Sequence, residues 1–201
     1  MPTYLEVQQR VNLELLNRTD LIPEVKRAIN QTIRKYETQR FWFNETATTV
    51  TTSAGQSFVT VPTDFYVMDS LRVTVSSVDY ILAHRAWLDI ERFNSVKQRG
   101  FPLLYCQRGD TFELAPIPDS AYSMPIAYFQ KLPPLSADSD TNGWLSAAED
   151  MVAYGAARMV SMNIGRVDEA QIFGTIEREH YMSLCRMRDQ RSFSSIRPTK
   201  F

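Results

Sequence analysis

A stripe of apolar residues near the N-terminus constrains the fold more than any other feature of the sequence. Its members recur at spacings of three and four residues: Ile22, Val25, Ile29, Ile33 and Tyr36. This spacing places the five side chains on one face of a helix. Asp20 is a candidate N-cap for that helix, and Pro23 falls in its first turn, where the missing N–H costs little. Because one helix cannot bury such a face alone, the stripe requires packing partners.

An earlier helix is predicted in front of this stripe. Thr3 and Glu6 fit a capping box, and apolar residues follow them at helical spacing. The helix is expected to end near Arg18, so that the two N-terminal helices form a hairpin.

The C-terminal third predicts a second pair of helices. Ser146 and Glu149 fit another capping box, and the helix behind it is rich in small residues that permit close helix contact. The longest helix is predicted over residues 167–188, where apolar residues recur at helical spacing. Since neither pair can bury its apolar faces alone, we expect the pairs to form a four-helix bundle from residues 1–43 and 145–189.

The middle of the chain changes to β-prone segments. Strands are predicted over residues 46–52, 57–61, 71–75, 103–107, 111–115 and 124–131. The first two flank a four-residue turn and predict a hairpin, as do the two strands around the turn at 108–110. A short helix is predicted over residues 87–98. Residues 44–144 are therefore expected to form a β-rich antiparallel insertion.

The last residues, 190–201, have no helical or strand period and are predicted to form an extended C-terminal arm. From Arg178 onward the chain carries six basic residues against two acidic ones. Apolar side chains between these charges are typical of a peptide arm that docks in a groove of a partner and orders on binding; a disordered end is the alternative. The residues expected to contact the partner are Arg191, Phe193, Ile196, Arg197, Lys200 and Phe201. The predicted fold class is therefore α+β, mainly α: a four-helix bundle with a β-rich insertion and this arm.

Composition argues against several classes of protein. The formal net charge of −1 argues against a general nucleic-acid binder, which would carry a strong basic excess. No apolar run approaches the length of a membrane span, and residues 1–20 lack the apolar core of a signal peptide, so we expect cytoplasmic synthesis. Cys106 and Cys185 make neither a disulfide framework nor a metal cluster, and both are interpreted as reduced thiols.

The sequence offers no catalytic motif. His84 and His180 have no neighbours that complete a triad, no pair of His or Cys has metal-ligand spacing, and no glycine-rich phosphate loop occurs. We interpret His180 as a packed or capping residue, because it falls on the apolar stripe of the last helix. Four carboxylate pairs also fit helix first turns or solvated helix faces: Asp89/Glu91, Glu149/Asp150, Asp168/Glu169 and Glu177/Glu179. We therefore expect no catalytic residue, metal site or cofactor site.

The order of these features resembles the head-to-tail adaptor proteins of short-tailed bacteriophages. The resemblance lies in four pieces: the helix that ends in Arg40-Phe41-Trp42-Phe43-Asn44-Glu45, the Thr-rich hairpin that leads to Pro62-Thr63-Asp64-Phe65, residues 112–118, and Trp144-Leu145 at the start of a small-residue helix. Together they span most of the chain. They are packing and turn patterns and contain no chemical fingerprint.

The resemblance implies a structural virion protein, not an enzyme, located in the tail at the portal vertex and assembled in the host cytoplasm. Proteins of this kind form a ring, usually twelve-fold, whose C-terminal arms embrace the portal protein. The ring seats the tail nozzle or tube protein, and DNA passes through its lumen without sequence-specific binding. No membrane is involved.

Two other functions stay open from the sequence. A virion-associated peptidoglycan hydrolase would need a carboxylate pair such as Asp89/Glu91 to face a cleft. A nucleic-acid-binding module would need an affinity for DNA that falls steeply with salt, which the near-neutral charge does not favour.

Overall fold

The computed structural model describes residues 1–193, and the chain divides into two compact units. Unit 1 comprises Met1–Asn44 together with the chain from Leu132 onward, and unit 2 comprises Glu45–Lys131. The helices are α1 (Tyr4–Glu14), α2 (Ile22–Tyr36), α3 (Trp87–Ser95), α4 (Gly143–Ala147), α5 (Glu149–Asn163) and α6 (Val167–Phe193). The strands are β1 (Glu45–Thr51), β2 (Phe58–Thr60), β3 (Phe65–Val75), β4 (Val78–Ile81), β5 (Ala83–His84), β6 (Leu104–Arg108), β7 (Thr111–Ala115) and β8 (Ser123–Gln130).

Unit 1 is built around α5, which packs against α1, α2 and α6. Small residues of α5 are fully buried, among them Ala153, Ala156 and Ala157, so the neighbouring helices approach it closely. The predicted stripe on α2 is confirmed at Val25, Ile29, Ile33 and Tyr36, all of which are buried. Ile22 is 42% exposed, because it stands at the first position of the helix, outside the packed turns.

Helix ends agree with the sequence in one case and differ in others. The capping box of α1 is confirmed, with the Glu6 N–H donating to Thr3 Oγ1 and the Thr3 N–H donating to Glu6 Oε2. This helix stops at Glu14, short of Arg18, because Leu16 and Asn17 adopt the left-handed region. Asp20 binds Arg18 and does not cap α2.

The second predicted capping box is wrong. Asn142 caps the short helix α4 by accepting from the N–H groups of Trp144 and Leu145. The chain then turns at Ala148, and α5 starts at Glu149 without a side-chain cap. Two helix starts therefore lie where the sequence pattern indicated one.

Unit 2 contains two four-stranded sheets. The first has the order β1-β8-β3-β4 and is antiparallel throughout, and the second has the order β2-β7-β6-β5, in which β5 and β6 run parallel. Buried side chains of both sheets form one apolar cluster, which includes Val73, Phe112 and Ile126. The predicted helix at 87–98 is observed as α3. The Ile90 side chain of this helix is buried where α3 packs against β6 and β7.

The prediction of a mainly α four-helix bundle with a β-rich insertion is wrong. The protein is α+β with 45% helix and 25% strand, and its described residues form six helices and two four-stranded sheets. One reason is that β3 is 11 residues long, while the sequence pattern indicated only its last five. Another is the turn at Ser76 and Ser77, whose positive φ angles of 49° and 65° allow β4 to fold back on β3.

The predicted hairpin between the first two strands is also wrong. β1 pairs with β8, so that Glu45 lies opposite Phe129, whereas β2 pairs with β7 in the other sheet. Thr52 fixes this arrangement, because its hydroxyl donates to the Ser120 carbonyl and accepts from the Tyr122 N–H. The hairpin of β6 and β7 is confirmed, with Gly109 in its turn at φ +57°.

Candidate functional site

The last helix is the element that leads into the predicted arm. It begins after Gly165, which adopts φ +81°, and carries Asp168 and Glu169 in its first turn. It continues to Phe193, five residues beyond the predicted end, so residues 190–193 are helical and not extended. Of the six predicted contact residues, Arg191 and Phe193 lie in α6, and four lie outside the described residues: Ile196, Arg197, Lys200 and Phe201.

The end of α6 lies beside a cluster of aromatic rings. The guanidinium carbon of Arg191 is 4.4 Å from the centroid of the Trp42 ring, which is the geometry of a cation–π contact. Trp42 meets Phe41 and Phe43 edge to face, and these two pack on Trp144. Arg191, near the end of the described part of α6, is therefore held against the aromatic residues of unit 1.

A buried carboxylate joins α6 to two other helices. Glu177 is 2% exposed, and it accepts hydrogen bonds from Lys35 Nζ at 2.8 Å, from the Tyr36 hydroxyl at 2.8 Å and from Arg158 Nε at 2.7 Å. These donors come from α2 and α5. The charge is thus paired twice and hydrogen-bonded, which is the condition for burying it without a large penalty.

The ionisation of these groups follows from the same contacts. Burial opposes the charge on Glu177, but hydrogen bonds from Lys35 and Tyr36 and the charge of Arg158 outweigh it, and the pKa of this carboxyl is lowered. Burial and the adjacent carboxylate raise the pKa of the Tyr36 phenol. Glu177 is therefore a permanent anion in the folded protein near neutral pH.

Gly155 on α5 provides the space that the network occupies. A Cβ built on this glycine would lie 2.5 Å from Thr32 Cγ2 and 3.1 Å from Glu177 Oε1. Any larger residue would have to shift the Thr32 side chain or the carboxylate.

Next to the network lies a cleft of about 550 Å³ among α2, α5 and α6. Its lining residues are Lys35, Tyr36, Gln39, Arg158, Gly174, Glu177, Arg178, Tyr181 and Met182. The sequence interpretation missed this site, because it placed Glu177 with Glu179 on a solvated face. The signal was present: Glu177 follows the buried Phe173 by four residues and precedes the buried Leu184 by seven, so it shares their face.

The structure places the other sequence candidates in separate local contacts. His180 stacks on Tyr154 with ring centroids 5.8 Å apart, and its Nδ1 lies 3.8 Å from Asp150 Oδ2. Arg10 binds both Glu149 and Asp150. On α3, Glu91 is exposed and Asp89 half-buried in a shallow groove with Arg85 and Arg92.

General acid catalysis by a carboxyl group at neutral pH requires a raised pKa. Among the described residues, every carboxyl group with a clear shift has a lowered pKa, and the strongest burial belongs to Glu177. Within the same part of the chain, no group of three His, Cys, Asp or Glu residues is placed to hold a metal ion. None of the described helices combines the length and the apolar character needed to span a bilayer.

Comparison with known protein families gives a match that covers both units. The model of the SU10 adaptor protein family matches residues 2–192. A search among curated proteins returned no match. The family match extends over nearly the whole chain and confirms the resemblance to bacteriophage head-to-tail adaptors. The protein therefore belongs to the SU10 adaptor protein family.

Proposed function

We propose that copies of the protein form the adaptor ring between the portal and the tail nozzle or tube of a bacteriophage. Such a ring is usually twelve-fold, and DNA passes through its lumen. The observation that carries this proposal is the family match over residues 2–192. An adaptor family implies a structural component of the virion at the tail or portal, and not an enzyme. Assembly of the ring takes place in the host cytoplasm.

In this proposal the C-terminal residues hold the portal. Arg191 fixes the base of the arm against Trp42, where the two side chains are in contact. The contacts with the portal come from Phe193, Ile196, Arg197, Lys200 and Phe201. Aromatic side chains and arginine, both present in this set, are enriched at protein interfaces.

A single arm binds weakly, and a ring of arms binds strongly. Each apolar anchor contributes about 1.5–3 kcal/mol when fully buried. Ordering of a flexible segment takes back about 2–5 kcal/mol. Since all copies of a ring engage one portal, effective concentration compensates for the weakness of each arm.

Deletion of residues 194–201 tests the proposal and keeps every residue that the structure describes in α6. We expect an unchanged circular dichroism spectrum and loss of co-sedimentation with the purified portal. The control replaces the same residues with a Gly/Ser sequence of equal length, which should also fail to bind. A deletion variant that still co-sediments would exclude the arm as the portal contact.

A further inference from the structure

We propose that the cleft among α2, α5 and α6 binds carboxylate groups of an acidic segment in a partner protein. Among the described residues that line it, Lys35, Arg158 and Arg178 are cationic, and Glu177 is the one carboxylate. Three positive charges against one negative charge leave the lining with a net charge of +2. A concave site with this excess attracts anions.

The hydrogen-bond donors of the cleft are only partly used within the described chain. Arg158 binds Glu177 through Nε, so its two terminal nitrogens are available to a ligand. Lys35 donates once to Glu177, and its side chain is 46% exposed. Arg178 is exposed and forms no ion pair with any described residue. The guanidinium groups of Arg158 and Arg178 can each hold a carboxylate in a bidentate manner.

The size and the lining of the cleft suit a peptide. Its volume of about 550 Å³ lies in the range of ligand pockets, which is about 300–1,000 Å³. Tyr36 and Tyr181 stack with ring centroids 5.1 Å apart and form an apolar wall, to which the exposed Met182 adds a flexible side chain. Such a wall accommodates the methylene groups of Glu side chains while the cations bind the carboxylates.

A nucleic acid strand fits the cleft less well than an acidic peptide does. Binding along a phosphate backbone requires many cations on an extended surface, whereas the cleft concentrates three of them in a concavity. The formal net charge of the chain, −1, offers no general attraction for DNA.

The inference rests on the proposed function only in that the acidic segment would belong to a protein of the assembled virion. The lining residues named above all lie outside residues 194–201, so the two experiments alter different parts of the chain. A titration of the isolated protein with a peptide therefore tests the cleft alone. If the peptide did not bind, the proposal that the arm attaches the protein to the portal would still stand. If the deletion variant still bound the portal, the proposal for the cleft would still stand.

The experiment is calorimetric titration of the full chain, at low ionic strength, with a hexaglutamate peptide. The variant is Arg178→Gln, since this exposed side chain has no structural partner among the described residues. The control is Arg186→Gln, which lies two turns further along the same helix and does not line the cleft. Hexaglutamine and a thymidine hexanucleotide serve as further probes.

We expect hexaglutamate to bind, Arg178→Gln to weaken it about tenfold and Arg186→Gln to change it by less than about twofold, as the loss of one charged hydrogen bond predicts. Hexaglutamine should not bind. Absence of hexaglutamate binding, or equal weakening by both variants, would overturn the proposal. Binding of the oligonucleotide with the same dependence on Arg178, and not of the peptide, would assign the cleft to nucleic acid instead.

Discussion

Tyr36 on α2 donates a hydrogen bond from its hydroxyl to Oε1 of Glu177 on α6, across 2.8 Å in the interior of unit 1. Arg158 on α5 reaches the other oxygen of the same carboxylate. Three helices therefore meet at one buried charge, and the position of α6 along its neighbours is set by this charge as well as by apolar packing. Changes at and around Glu177 test this arrangement.

Glu177→Gln should destabilise the protein by about 1.5–3 kcal/mol, because the amide loses the charged hydrogen bonds and leaves Lys35 and Arg158 without their anion. Both cations are partly exposed, so water limits the loss. Urea denaturation followed by circular dichroism measures the change. Glu179→Gln, two positions away on the exposed face, should stay within about 0.5 kcal/mol of wild type. Equal effects of the two variants would show that the network adds no stability.

The same carboxyl group should make stability depend on pH. Its pKa in the folded protein is lowered from the ordinary value of 4.5, so its stabilising contribution is complete above that value and is lost as the pH falls through the lower, folded pKa. We expect the difference in unfolding free energy between wild type and Glu177→Gln to shrink progressively below pH 4.5. A difference that stays constant into that acidic range would contradict the lowered pKa.

Gly155→Ala should destabilise unit 1, although alanine is the better helix former. The added Cβ would lie 2.5 Å from Thr32 Cγ2, and such overpacking costs about 1–3 kcal/mol. Thr32→Ser removes this methyl group and keeps the hydroxyl that donates to the Ala28 carbonyl. The double variant should therefore recover part of the loss in a thermal melt. If Thr32→Ser gave no recovery, the contact with α2 would not be the cause.

Ile29→Asp should unfold unit 1, whereas Ile22→Asp should be tolerated. Ile29 is 0% exposed, and loss of a large buried aliphatic side chain alone costs about 2–5 kcal/mol before the unpaired charge is added. Ile22 belongs to the same sequence stripe but is 42% exposed. Melting temperatures from the helical circular dichroism signal distinguish the two. Similar melting temperatures for both variants would mean that the stripe is not the core.

Local features of the sequence predicted the structure where the cause is local. The periodicity of α2 and the capping box at Thr3 depend on residues within four positions of each other, and both are observed. The hairpin of β6 and β7 likewise follows from its turn. The pairing of β1 with β8 depends on residues about 80 positions apart, which no turn pattern encodes.

The candidate site was missed for a different reason. Charge alone placed Glu177 on a solvated face, because a buried carboxylate is rare unless it is paired. Its partners, Lys35 and Arg158, lie on other helices, and the sequence does not show that they converge. Spacing from Phe173 gave the correct face, and it was the residue type that misled the interpretation.

The pairing of β1 with β8 has a consequence for how this protein can vary. Glu45, the first residue of unit 2, lies opposite Phe129, two residues before its end. Paired residues of antiparallel strands have Cα atoms about 4.5–5.5 Å apart, so the chain leaves unit 2 close to where it came in. The two chain ends of unit 2 are therefore about as close to each other as the two ends of a tight loop. Strands can thus be lengthened, added or lost inside unit 2 without moving the two chain ends that the helical segments must join.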